Sequence, residues 1–208
     1  MSPLTYTVPH PEERNRLSVA FRWVLAVPHL LLWAMWFWVA QALSFLQWFV
    51  IVFGGQRNQA IWEVQAVAMR SMARALGYSS LLFDRFPAFF ADDDPSDGGE
   101  LEMSYAASAD RLSNGLRLIL IIPAFVVSVL VGLVQIIVAT TSWFSIVITG
   151  RQPERQWSTL VDCTEFALRF QAYSLLMTDA YPRFGSGTAR STASSRTPQV
   201  LSARGGTH

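Results

Sequence analysis

The stretch RLILIIPAFVVSVLVGLVQIIVATTSWFSIVITG, residues 117–150, decides the fold. After Arg117 the chain has no Asp, Glu, Lys or Arg until Arg151, a run longer than the roughly 20 apolar residues that a helix needs to cross a bilayer. Residues 125–138 are mostly Leu, Ile, Val and Phe, which together favour membrane insertion by roughly 3–7 kcal/mol. The stretch therefore predicts a transmembrane helix.

A second uncharged stretch lies between Arg22 and Arg57 and predicts another such helix. The composition agrees, because 51% of the residues are hydrophobic and only 15% are charged, which is unusual for a soluble domain. A net charge of +1 argues against a nucleic-acid partner. The single cysteine, Cys163, excludes an internal disulfide and a cysteine-based zinc site. We therefore expect a bilayer as the first partner and no cofactor.

The two stretches belong to a tandem duplication. Each landmark of the first half recurs 95 positions later, and no gap is needed to align the halves. The matching pairs are Arg16 and Arg111, Arg22 and Arg117, Pro28 and Pro123, Trp48 and Trp143, Gly55 and Gly150, Trp62 and Trp157, Arg74 and Arg169, Tyr78 and Tyr173, Asp84 and Asp179, and Pro87 and Pro182.

Each unit reads Arg-x5-Pro, an apolar span, Trp-Phe-x-Ile-Val-x2-Gly, and finally Arg-x3-Tyr-x5-Asp-x-[Phe/Tyr]-Pro. This ordered set resembles the bacterial domain-of-unknown-function family 4389, over about residues 14–90 and 109–185. The resemblance implies an integral membrane protein without an assigned activity. The first unit departs from the family pattern with DRFP and FGGQRN, and the second with DAYP.

The segments after the apolar stretches, residues 58–83 and 153–178, have the periodicity of amphipathic helices. Glu165 and Arg169 are spaced for an i,i+4 ion pair. Such helices are too polar to span a bilayer and suit the headgroup plane, although their apolar stripe could instead pack on the membrane helices. The sequence thus predicts an all-α membrane protein of two tandem repeats, each a long transmembrane helix followed by an amphipathic interfacial helix.

Prolines and glycines predict the ends of the long helices. Pro28 and Pro123 suit a first helical turn, and Gly55 and Gly150 suit a helix end with positive φ. The expected organisation is an N-terminal extension (1–13), a membrane repeat (14–90), an acidic linker (91–108) that is unstructured over 91–104, a second membrane repeat (109–184) and a disordered C-terminal tail (185–208).

Polar side chains recur at the borders of both apolar stretches. Arg22 and Arg117 are placed to extend their guanidinium groups towards lipid phosphates. No nucleophile–base pair, phosphate loop or histidine-rich spacing accompanies these groups, so we expect no catalytic residue, no metal site and no enzyme activity. The candidate cluster, structural or lipid-binding, consists of Arg22, Arg74, Tyr78, Asp84, Arg117, Arg169, Tyr173 and Asp179.

The sequence predicts a non-enzymatic accessory or assembly factor of the bacterial envelope, in contact with lipid and with other membrane proteins or a second copy. The alternative is a lipid-binding or transport-associated component that uses the polar clusters. One crossing per apolar stretch would invert the repeats relative to each other, whereas re-entrant hairpins would give both the same orientation; single crossing fits the uninterrupted stretches better. Ten of the 16 arginines lie in the terminal segments, which favours a multi-pass inner-membrane protein with cytoplasmic termini.

Overall fold

The computed structural model describes residues 4–10, 14–87 and 99–183. Six helices belong to two repeats, and each helix of the first repeat lies 95 residues before its counterpart at both ends. The predicted C-terminal tail and residues 91–98 of the predicted linker lie outside the described residues. In chain order the elements are β1 (Leu4–Thr7), α1 (Arg16–Ala20), α2 (Arg22–Gly54), α3 (Gln59–Ser79), β2 (Glu100–Met103), α4 (Arg111–Gly115), α5 (Arg117–Thr149) and α6 (Glu154–Ser174).

The long helices α2 and α5 begin before their prolines. Each has 33 residues, about 50 Å of helix, and encloses Pro28 or Pro123. The Phe21 carbonyl already accepts hydrogen bonds from the N–H groups of Val24 and Leu25, both at 3.1 Å, so the helix is established before the proline removes one donor. The prediction that the prolines mark the helix starts is therefore wrong by six residues.

Both long helices end at a glycine, as predicted. Gly55 has φ 73° and Gly150 has φ 77°, the left-handed conformation that closes a helix. The Gly55 N–H group donates to the Ile51 carbonyl in the last turn of α2, and the Gly150 N–H group donates to the Ile146 carbonyl in the last turn of α5, both at 2.7 Å.

We expect Gly55→Ala to lower the free energy of unfolding by about 1–2 kcal/mol, because positive φ strains a residue with a β-carbon. The added Cβ would also lie 2.6 Å from Arg111 Nε. Gly54→Ala is the matched control: Gly54 is helical and has no atom within 4 Å of an added Cβ, so alanine there should be neutral or stabilising by up to about 1 kcal/mol. Unfolding in detergent micelles measures both; equal effects would contradict this role of Gly55.

The shorter helices run back along the long ones. Near one end of the α2–α3 pair the Gln65 side chain donates to Ser44 Oγ at 2.9 Å, and near the other end Arg22 Nη1 donates to the Tyr78 carbonyl at 3.4 Å. The order of a long apolar helix followed by a shorter polar one is as predicted. The lengthwise packing corresponds to the alternative in which the apolar stripe of α3 packs on the long helix.

The helices α3 and α6 end four residues before the predicted positions. Leu81 and Leu176 follow the helix ends with φ 62° and 61°, a conformation that stops the helical hydrogen bonding. The Leu82 N–H group then donates back to the Gly77 carbonyl at 3.0 Å, and Met177 makes the equivalent bond to Ala172 at 3.1 Å.

The two long helices run in opposite directions. Trp48 Nε1, near the end of α2, donates to the Asn114 carbonyl just before α5, and Trp143 Nε1, near the end of α5, donates to the Val19 carbonyl just before α2. The molecule therefore has two ends. We call them the Asp84 end, where α2 starts, and the Asp179 end, where α5 starts.

A two-stranded ribbon is the main departure from the predicted all-α fold. Strands β1 and β2 pair antiparallel, with Leu4 opposite Met103 and Thr7 opposite Glu100. The prediction of an unstructured linker is therefore wrong for residues 100–103. Alternate residues of β1 are buried and pack on the central helices α3 and α6, which contact each other. Burial of Leu4 and Tyr6 explains why these short segments are ordered.

Candidate functional site

A polar cluster surrounds Asp84 at the end of the first repeat. Arg22 Nη2 lies 2.6 Å and Arg14 Nη1 2.9 Å from Asp84 Oδ1. Arg22 also stacks on the ring of Tyr78, with its Cζ 4.2 Å from the ring centroid. The second amino group of Arg14 donates to Gln152 Oε1. We call Arg14, Arg22, Tyr78, Asp84 and Gln152 the Asp84 cluster.

The equivalent cluster surrounds Asp179. Arg117 Nη2 lies 3.2 Å from Asp179 Oδ1, and Arg117 Cζ lies 3.8 Å from the centroid of the Tyr173 ring. Asn114 Nδ2 donates to the same carboxylate at 2.7 Å, and Arg57 forms an ion pair with it. We call Arg57, Asn114, Arg117, Tyr173 and Asp179 the Asp179 cluster.

The clusters tie the start of each long helix to the end of the following short one. Arg22 and Arg117 precede the apolar residues of α2 and α5, whereas Asp84 and Asp179 follow α3 and α6. Arg22 is 1% exposed and Arg117 is 3% exposed. The expected extension of these guanidinium groups towards lipid phosphates is therefore wrong: carboxylates, tyrosine rings and backbone carbonyls within the protein bind them instead.

Each cluster is completed by a side chain of the other repeat. Arg57 follows α2 but binds Asp179, and Gln152, its counterpart 95 residues later, accepts from Arg14 beside Asp84. Each carboxylate thus has a second arginine, Arg14 at Asp84 and Arg57 at Asp179. These two arginines are not counterparts, since the position equivalent to Arg14 holds Ala109. The clusters hold the repeats to each other as well as closing each one.

Arg74 and Arg169, which the sequence placed in the candidate cluster, do not supply the arginines that reach the two aspartates. Arg169 pairs with Glu165 on α6, which confirms the predicted i,i+4 ion pair. Both residues of that pair are buried. The arginines at Asp84 are Arg14 and Arg22, so Arg74, on α3, is not one of them.

Sequence reasoning missed Arg14, Arg57, Asn114 and Gln152. Their partners lie in the other repeat or in irregular segments, so helical spacing gives no signal for them. The only available signal was the unusual FGGQRN motif, which contains Arg57 where the second repeat has Gln152.

The Asp179 carboxyl group is held ionised by its neighbours. Burial alone would raise its pKa, but hydrogen bonds from Asn114 and Arg57 outweigh burial and bring the pKa below its usual value. Each cluster thus sets two guanidinium groups against one carboxylate, leaving one surplus positive charge. Among the described residues, no three His, Cys, Asp or Glu side chains gather as a metal site would require.

We expect the Asp179 carboxylate to stabilise the protein at neutral pH and to lose this contribution in acid. A carboxyl group whose pKa falls on folding contributes fully above the unfolded pKa, about 3.9 for Asp, and loses the contribution as the pH falls through the lower folded value. The difference in free energy of unfolding between wild type and Asp179→Asn should therefore be constant from about pH 7 to 5 and shrink below about pH 4. A difference that does not change with pH would contradict this assignment.

Comparison with known proteins agrees with the duplication seen in sequence and structure. The family described as Domain of unknown function (DUF4389) matches the chain twice, at residues 16–91 and 111–185. No curated protein and no solved structure matches the chain. The two matches together cover most of the chain, and each contains three helices, of 5, 33 and 21 residues, and the aspartate of one cluster. The protein therefore belongs to the DUF4389 family and carries two tandem copies of its domain.

Proposed function

We propose that the protein is embedded in a bacterial membrane through α2 and α5 and acts there as a non-enzymatic accessory or assembly partner of other membrane proteins. The exposure of the two long helices carries this proposal. Of the 18 most apolar consecutive residues in each helix, only 17% in α2 and 6% in α5 are buried inside the protein. The core helix of a soluble protein would be mostly buried, so the exposure of these surfaces supports membrane embedding.

The aspartate clusters support a structural role for the polar residues. Their arginine and tyrosine side chains are almost fully buried, and their hydrogen bonds join parts of the same chain. A buried guanidinium group is costly unless it is paired, so these contacts account for the recurring Arg, Tyr and Asp without a reaction. The clusters would keep the two repeats rigid while α2 and α5 contact lipid and partners.

Membrane embedding is tested by fractionation. We expect the chain to stay with membranes after extraction at alkaline pH and to need detergent for purification. A chain that is monodisperse in plain buffer without detergent or lipid would contradict the proposal.

The accessory role is tested by purification in mild detergent, where we expect a membrane protein to accompany the chain in fixed stoichiometry. Trp38, 72% exposed at mid-helix, is the best-placed side chain for such a contact. Trp38→Leu, which introduces the residue found at position 133 of the second repeat, should weaken the association. Phe53→Leu, at the exposed end of the same helix, serves as the control. Purification without any stoichiometric partner would contradict the role.

Binding of lipid headgroups is the second candidate function, favoured by the surplus positive charge of each cluster. The side chains of Asp84 and Asp179 are 20% and 33% exposed, so an anionic group could approach the clusters from outside. Phospholipid retained after purification should then fall in Arg14→Gln and Arg57→Gln but not in Arg155→Gln, which changes an exposed arginine on α6 that belongs to neither cluster. Equal retention in all three variants would contradict lipid binding at the clusters.

A further inference from the structure

The molecule has one strongly apolar layer. Helices α2 and α5 expose large apolar side chains along their whole length, from Trp23 to Phe53 and from Leu118 to Ile148. In the described part of the chain, α3 exposes two such side chains, Val64 and Val67, and α6 exposes none. Lipid chains would therefore contact the α2 and α5 layer rather than α3 and α6.

The ribbon gives the opposite side of α3 and α6 a polar surface. Its inner residues pack on the central helices: the Tyr6 hydroxyl lies beside Gly77 near the end of α3, and Leu4 lines a small cavity with Trp62 near the start of α3. The ribbon thus lies over the middle of the helix pair. Its outer residues are Thr5, Thr7, Glu100 and Glu102.

If α2 and α5 crossed the bilayer perpendicular to its plane, this polar surface would lie within the hydrocarbon core. Because α3 and α6 run lengthwise along the long helices, the middle of the ribbon would lie near the centre of the bilayer. Glu100 and Glu102 are exposed, and an exposed ionised carboxylate at that depth is strongly unfavourable. The lengths fit no better, since helices of about 50 Å exceed a hydrocarbon core of about 30 Å.

The geometry points to a different placement, which rests on the proposed membrane embedding: α2 and α5 lie flat in one leaflet instead of crossing the bilayer. The binding partner of the apolar layer is then the acyl chains of a single leaflet. Helices α3 and α6 lie at headgroup depth, and the ribbon lies in water. In this placement both ends of the molecule lie on the same side of the bilayer, with the exposed Arg16 and Arg151 at the Asp84 end and Arg111 at the Asp179 end.

Cysteine accessibility distinguishes the two placements. Gln59 and Glu154 are counterparts in the two repeats, are both exposed, and begin α3 and α6 at opposite ends of the molecule. Glu102 reports on the ribbon. The native Cys163 gives no background, because burial, together with Asp162, raises the pKa of its thiol to about 11. Gln59→Cys, Glu154→Cys and Glu102→Cys are treated with a membrane-impermeant maleimide at pH 7, on spheroplasts and on inverted vesicles.

We expect all three cysteines to react in the same one of the two preparations and to be protected in the other. Reaction of Gln59→Cys and Glu154→Cys in different preparations would overturn the flat placement and establish crossing. Protection of all three in both preparations would also overturn it, because the polar surface would then not face water. Leu130→Cys, 58% exposed at the middle of α5, should be protected in both; its reaction would instead overturn the membrane embedding itself.

Depth measurements give a second, independent readout. Nitroxides attached at Ile119, Leu130 and Ile148, all exposed along α5, should report similar depths if the helix lies flat. A crossing helix would place the middle label far deeper than the two outer labels, and that profile would contradict the inference.

Discussion

Asp84→Ala should lower the free energy of unfolding by about 3 kcal/mol, because it leaves two buried guanidinium groups without their carboxylate. Arg22 and Arg14 lie 2.6 and 2.9 Å from that carboxylate, and the side chains of both arginines are 1% exposed. We expect a loss at the low end of the range usual for a broken buried ion pair, because the Asp84 side chain is itself 20% exposed. Reversible unfolding in mixed detergent micelles measures the effect.

Two variants control this measurement. Asp84→Asn keeps an acceptor oxygen near both arginines and should cost less, about 1–2 kcal/mol. Glu102→Ala removes an exposed carboxylate from the ribbon and should change stability by less than about 0.5 kcal/mol. If Asp84→Ala were no worse than Glu102→Ala, the cluster would not stabilise the fold.

Arg57→Ala should be comparably destabilising, by about 3 kcal/mol, because one side chain joins three separate segments. Its Nε donates to the Leu176 carbonyl at 2.8 Å, its Nη1 donates to the Ser108 carbonyl at 2.6 Å, and its Nη2 pairs with Asp179. Arg57 itself is 4% exposed. Its removal therefore takes a donor from the buried Leu176 carbonyl and leaves Asp179 with one guanidinium group, that of Arg117.

Gln152→Ala is the matched control, since Gln152 occupies the counterpart position of Arg57. It removes one acceptor from Arg14, which keeps Asp84 and the Leu81 carbonyl as partners. We expect a loss of about 1 kcal/mol in the same unfolding assay. Equal losses in the two variants would show that the asymmetry between the repeats has no energetic consequence.

The repeat period and the glycines could be read from the sequence because neither depends on tertiary contacts. A fixed offset of 95 residues places every helix of the second repeat on one of the first, and Gly55 and Gly150 end their helices through their own backbone conformation. The pairing of Glu165 with Arg169 is equally local. Such features depend on neighbours within one or two turns, so spacing alone predicts them.

The predictions for the prolines and for the ribbon are wrong for different reasons. Pro28 removes one N–H donor from a helix that already begins at Arg22, so the position of the proline does not fix the helix start. The ribbon pairs residues 4–7 with residues 100–103, which are far apart in the sequence. Strands this short carry little periodicity, and their pairing is decided by burial against α3 and α6, which no local pattern displays.

The aspartate clusters are only partly predictable from the sequence. Recurrence identified Arg22, Tyr78 and Asp84 together with their counterparts, and the structure brings these groups into contact. It could not show that Arg74 does not pair with Asp84, or that Arg57 pairs with the other repeat. That exchange depends on the opposite directions of α2 and α5, a property of tertiary packing.

The exchange of Arg57 also bears on how the chain is made. Arg57 leaves the ribosome long before two of its partners, because Leu176 and Asp179 are encoded 119 and 122 residues later. Throughout that interval the nascent first half carries a buried cation without the carboxylate that will pair with it. Translation must therefore run almost to the end of the second half before the first half can complete its folding. A truncated product would leave the Arg57 guanidinium group without its carboxylate.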